Sequence, residues 1–205
     1  LPMYDWLHLH HEDFTGQYGK FYVSFKNATW YKEGKKEAER LAKELGYEKV
    51  SESKLAVAKK IKEFVYSGGF LFAMCSATDS YDIALAAEGI DICSQMFDGD
   101  NIDKDIDSKL DFSKTFAFKD FSLVKNPNQY EFSTIDATQK RNLNPKIDFF
   151  TLFDFSAKWD PVPTMLCQNH MQVISGFMGQ TTAFKNKFLK SNVLIMGETK
   201  SRNEA

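Results

Sequence analysis

The chain has 205 residues, a net charge of -2 and charges of both signs scattered along its length. That length allows one α/β domain with a full core and an elaboration, and the charge pattern supplies neither a basic stripe for nucleic acid nor a polybasic membrane anchor. No run approaches the roughly 18 apolar residues of a membrane span, no leader pattern is present, and the three cysteines are too few and too far apart for a disulfide framework or a zinc knuckle. A small-molecule substrate or ligand is the expected partner. No cofactor or metal is expected, a homo-oligomer stays open, and the compartment, cytoplasmic or periplasmic, is left unspecified.

In chain order, Tyr4 to His10 is rich in aromatic and apolar residues and reads as a short parallel strand. It ends in the polar cluster His10, His11, Glu12 and Asp13, and open α/β sheets keep their sites at such strand ends. Phe14 to Trp30 has no helical period and is expected to be a loop that packs over or covers a site. The spacing of Ala38, Leu41, Ala42 and Leu45 predicts a helix over 31–45, stopped by Gly46. Leu55, Ala58, Ile61 and Val65 predict a second over 53–67, stopped by Gly68.

Phe70 to Met74, short, apolar and bounded by glycine, is expected to be a strand buried on both faces of a parallel sheet. Cys75 falls at its carboxyl end. Small residues follow, and Asp79 or Ser80 is expected to cap a helix running to Gly89, with Asp82 also read as part of the capping chemistry. A cysteine on a tight strand-to-helix turn is where an α/β fold presents a nucleophile, because the turn aims backbone N–H groups and a helix N-terminus at the thiol. The alternative is a cysteine that packs as a small hydrophobe.

Beyond Gly89 the character changes. Residues 98–111 form an acidic, turn-rich stretch without a regular calcium-ligand spacing, so a solvated loop is expected. The runs Thr115 to Val124, Tyr130 to Ile135, Asp148 to Phe155 and Thr164 to Phe177 are aromatic and β-prone, and predict antiparallel strands separated by turns at Asn126-Pro127-Asn128 and Asn142 to Pro145. Val193 to Met196 predicts a return to the buried parallel sheet. The expected organisation is therefore an α/β core over 1–97, a β-rich elaboration over 98–190 and a return strand over 191–205, within a segment of a longer protein.

Helix, Gly68-Gly69, apolar strand, Cys75, small residues and helix, in that order, resemble the nucleophile-elbow region of the class I glutamine amidotransferase-like superfamily. The stretches Tyr4 to Gln17, Phe72 to Ser80 and Lys158 to Leu166 are similar to a bacterial family labelled asparagine synthetase B, with trehalose-utilisation-type relatives. The resemblance spans nearly the whole chain. It implies a flavodoxin-like parallel sheet of glutamine amidotransferase type carrying an inserted antiparallel elaboration, with Cys75 as the nucleophile. The chain departs from the pattern in two places. Ala73 and Ala77 stand where the elbow usually has glycine, and His170, in Asn-His-Met-Gln, is not followed by the glutamate of the usual His-x-Glu. The phosphate loop of an ATP-dependent asparagine synthetase does not occur, so that reaction is not implied.

On this reading Cys75 attacks an amide carbonyl, and His10 or His11, with Glu12 nearby, moves the proton. The N–H of Ser76 and one from the loop at Thr15 and Gly16 hold the oxyanion. The histidine cluster is also compatible with a metal, although His8-x-His10 is a weak signal for one. Two other functions stay open: a non-hydrolytic member of the fold that binds a sugar-type ligand, and a catalytically silent interaction domain.

Overall fold

A computed structural model describes residues 3–136, 149–152, 173–175 and 183–199. Cys167, His170 and the stretch Lys158 to Leu166 lie outside these residues, as does the turn expected at Asn142 to Pro145. The protein is mixed α/β. Strand β1 (Trp6–His10) pairs in parallel with β2 (Phe70–Met74), with Trp6 opposite Phe70 and His10 opposite Met74. Between them run a short helix α1 (Tyr22–Phe25) and two long ones, α2 (Thr29–Glu44) and α3 (Val50–Tyr66). Helix α4 (Ser76–Ala86) follows β2 directly.

The expected helices form, with shifted starts. Helix α3 begins three residues early because the Glu52 carboxylate accepts the N–H groups of Glu48 and Lys49 at 3.1 and 3.2 Å, which satisfies donors ahead of the first turn. Its exit depends on two glycines. Gly68 takes φ 97°, and a Cβ on Gly69 would lie 2.3 Å from the Phe64 ring.

Strand β2 is not buried on both faces. Leu7, Leu9, Leu71 and Ala73 pack against Ala58 and Ile61 of α3 and Ala77, Tyr81 and Leu85 of α4. On the opposite face Trp6 and Phe70 remain 59% and 56% exposed, their rings in edge contact at 5.2 Å. A continuous apolar run implies two covered faces, but the described residues cover only one.

Helix α4 is buried almost throughout and lies between two apolar clusters. One is the layer under the sheet. The other joins Ile83, Ala86 and Ala87 to Phe118, Phe121, Phe132, Ile135 and Phe188 from the second half of the chain. The helix starts at Ser76, immediately after the Cys75 turn, so Asp79 and Ser80 are interior residues and not caps.

The second half departs further from expectation. Short helices α5 (Gln95–Asp98) and α6 (Ile106–Lys109) occupy the acidic stretch. Thr115 to Val124 forms no extended strand, because Asp82 accepts the N–H groups of Phe116, Ala117 and Phe118, three consecutive donors that a β-ladder would have to alternate. Asp120, at φ 57°, bends the chain again. The antiparallel sense survives as a bridge between Leu123 and Ser133 across the Asn126 turn.

Strand β3 (Phe149–Leu152) pairs antiparallel with β4 (Val173–Ser175) and β5 (Gly197–Thr199). The expected parallel return strand at Val193 to Met196 is therefore corrected. These residues form no strand, Leu194 and Met196 are exposed, and the chain joins the antiparallel sheet just after them. An apolar run marks a strand only where a partner edge is in reach.

Candidate active site

Cys75 closes β2 at φ 54° and ψ -137° and serves as the N-cap of α4. This backbone region is almost reserved for glycine, and a side-chain-bearing residue held there stores about 1–3 kcal/mol. Strand, strained residue and buried helix succeed one another without a linker, which is the geometry that lifts a side chain above a sheet. Cys75 is half-buried, and neither it nor Cys93 is in a disulfide.

The parallel register fixes what stands beside it. His10 is opposite Met74, so with strands about 4.8 Å apart and successive Cα atoms about 3.8 Å apart, Cys75 Cα lies no more than about 9 Å from that of His10. The backbone bends at His11, at φ 66°, and its Nδ1 is 2.5 Å from Nδ1 of His10, so one ring donates to the other. Both histidines are exposed at the sheet end.

The segment after β1 is held on α4 by Ser80. Its hydroxyl accepts from Phe14 N–H at 3.3 Å and reaches Glu12 O at 3.1 Å and Ser76 O. Asp13 organises the next turn: one carboxylate oxygen accepts from Thr15 N–H and the Thr15 hydroxyl, the other from Gly19 N–H at 2.8 Å. Gly16, at φ 83°, brings the loop against α3, where a Cβ would sit 2.9 Å from Ser51. Phe14 and Thr15 N–H groups are thus engaged, and of the oxyanion candidates Ser76 and Gly16 fit a donor role better. Ser76 opens α4, where helix N–H groups lack intrahelical acceptors.

Two acids near the elbow have unusual surroundings. Asp79 is fully buried and neither carboxylate oxygen has a hydrogen-bond partner. Burial first, then the charges of Asp136 and Asp13, pushes its carboxyl well above the usual carboxylate range. Glu12 also has a buried oxygen, Oε2, without a partner.

On the other side of the loop, Asp91, Cys93 and Asp98 bring three ligand-type atoms within 4.8 Å of one another. A cation already stands beside the carboxylates: Lys49 Nζ contacts Asp91, lies 2.7 Å from Asp100 and 3.4 Å from Asp98. Cys93 is buried with its thiol 3.2 Å from Thr15 O, and burial, reinforced by Asp98, Asp13 and Asp91, pushes that thiol well up. This is a lysine-centred staple between α3 and the 91–100 segment.

Sequence reasoning missed the cavity of about 310 Å³ that opens beside His11 and Glu12. Tyr18, Phe21, Trp30 and Tyr31 line it. The signal was the aromatic density between Phe14 and Trp30, expected as a loop without helical period; in the fold this stretch contains α1 and the start of α2, and Trp30 and Tyr31 of α2 line the cavity. Among the described residues, no helix is long and apolar enough to cross a membrane.

No family model, curated protein or solved structure matches the chain.

Proposed function

We propose that the protein is a cysteine-dependent amidohydrolase of glutaminase type on a flavodoxin-like, class I glutamine amidotransferase-like scaffold. The observation that carries this reading is Cys75 at φ 54° between a parallel strand and a buried helix. A strained, non-glycine residue at a strand-to-helix junction is the arrangement that a nucleophile elbow uses.

In the reaction, the Cys75 thiolate adds to the carbonyl carbon of an amide. Ser76 N–H, with Gly16 N–H, stabilises the oxyanion. The C–N bond then breaks as a histidine at the end of β1 gives its proton to the leaving amine, and a thioester remains on Cys75. Water, deprotonated by the same histidine, hydrolyses the thioester to the acid and returns the thiol.

The test is alkylation of the native protein with iodoacetamide at neutral pH, monitored cysteine by cysteine by peptide mass spectrometry. Cys75 is expected to react first, while the protein is folded, and far ahead of the fully buried Cys93. A Cys75 that stays inert until the chain is unfolded would falsify the nucleophile assignment.

A further inference from the structure

Lys49 closes the 91–100 segment onto the start of α3, but it does not satisfy everything that it faces. One ammonium stands among three carboxylates, in contact with Asp91, 2.7 Å from Asp100 and 3.4 Å from Asp98. Its hydrogen bonds go to Asp91 and to both oxygens of Asp100. Asp98 is left out. Its side chain is only 8% exposed, and its Oδ2 is buried with no hydrogen-bond partner. Buried polar groups are paired in the great majority of cases, so this oxygen calls for a cation closer than Lys49.

A carboxylate oxygen of Asp91, the Cys93 sulfur and a carboxylate oxygen of Asp98 lie within 4.8 Å of one another. Ligand atoms of a tetrahedral ion, held at about 2.0 Å for oxygen and about 2.3 Å for sulfur, stand roughly 3.3–3.7 Å apart, so side-chain rotations that draw the three atoms in by about 1 Å suffice. The ion sits between these atoms and needs no open face on any of them. Asp91 Oδ1 already holds Cys93 N–H at 2.9 Å, which fixes two of the ligands relative to each other and leaves Oδ2 to turn from Lys49 to the ion. Cys93 gives up one hydrogen bond, from its thiol to Thr15 O at 3.2 Å. Asp91 is the way in: it lines a cavity of about 320 Å³ together with Thr15, Lys49 and Ile92.

Donor chemistry selects the metal. Calcium and magnesium take oxygen ligands in larger shells, whereas a thiolate with two carboxylates suits four-coordinate zinc. We propose that Asp91, Cys93 and Asp98 bind one zinc ion, with water in the fourth position and Lys49 retained on Asp100. Zinc takes the place of the thiol proton, which leaves to solvent, and the thiolate remains on the metal. The ion joins the end of α5 to the segment after α4. The site does not include Cys75 and does not rest on the amidohydrolase reading.

The experiment is titration of the full chain, first stripped with a chelator, with Zn²⁺ and with Co²⁺ as a spectroscopic stand-in, since a thiolate ligand gives Co²⁺ a near-ultraviolet charge-transfer band. One equivalent is expected to bind, with the band present and at least one proton released, read from the difference in binding heat between buffers of different ionisation enthalpy. Cys93→Ser is expected to abolish the band, while Cys75→Ser and Cys167→Ser keep it. Asp98→Asn is expected to weaken Zn²⁺ binding at least tenfold. Circular dichroism establishes that each variant is folded, and the band and the proton count need only the unaltered chain. Absence of saturable binding, binding without proton release, a band that survives Cys93→Ser, undiminished binding in Asp98→Asn, or displacement of Co²⁺ by an equal concentration of Ca²⁺ would overturn the proposal.

Discussion

At Cys75 a side chain occupies backbone space that glycine takes freely. Substitution should reveal the strain without reference to any substrate. Cys75→Ala keeps the Cβ and therefore the clash at φ 54°, whereas Cys75→Gly removes it and adds back chain entropy of roughly 0.5–1 kcal/mol to the unfolded state. The glycine variant is expected to be more stable than the alanine variant by about 1 kcal/mol in urea denaturation. At an ordinary strand end the order would be reversed, because glycine there has only its entropy cost. Equal or inverted stabilities would mean that the turn is unstrained and that the nucleophile reading has lost its main support.

Among the elements, α4 joins the sheet layer to the second half of the chain, and it does so with polar residues as well as apolar ones. Asp82 is nearly fully buried, and burial raises its carboxyl above the usual range, opposed by the N–H groups of Phe116, Ala117 and Phe118. Asp82→Ala would leave those three donors without an acceptor in the interior. At roughly 1–3 kcal/mol for each unsatisfied group, a loss of about 3 kcal/mol or more is expected by chemical denaturation, with Asp82→Asn losing less because one oxygen still accepts. A loss under about 1 kcal/mol in the alanine variant would show that the 116–118 turn finds other partners.

This same residue explains where sequence reading stopped. The periodicity of α2 and α3, the glycine stop at Gly68 and the strand before Cys75 are local signals, and each appears in the fold. Asp82 reads as part of a cap because capping is local, whereas its real partners are more than 30 residues away. Thr115 to Val124 reads as strand for the matching reason: its aromatic composition is visible, but the carboxylate that takes its N–H groups is not. In the candidate site, Cys75 and the His10 to Glu12 cluster were legible from strand-end logic. The aromatic cavity was not, because it forms where Tyr18 and Phe21, from a segment without period, meet the start of α2.

Across the whole molecule, the buried Lys20 connects the loop after β1 to the second half of the chain. It is 2% exposed, and its ammonium donates to Val124 O at 2.7 Å and Glu131 O at 2.8 Å. Burial lowers its pKa from 10.5 to about 8, opposed by the charges of Asp13 and Glu131. Between about pH 8 and 10.5 the unfolded chain holds this proton and the folded chain has released it. The unfolded state binds more protons there, so unfolding free energy rises with pH across the window. The contribution is fully present above the unfolded value and is lost as pH falls through about 8, with a full span of roughly 3 kcal/mol. Other groups titrate in the same range, so the measurement is a difference. Urea denaturation of the native chain and of Lys20→Met is recorded at several pH values from 7 to 11. Lys20→Met is expected to be less stable where the neutral amine still serves both carbonyls, and the gap should widen as pH rises from 8 to 10.5. A gap that is constant with pH would mean that Lys20 keeps its proton in the fold, with the Val124 and Glu131 carbonyls and the nearby acids outweighing its burial.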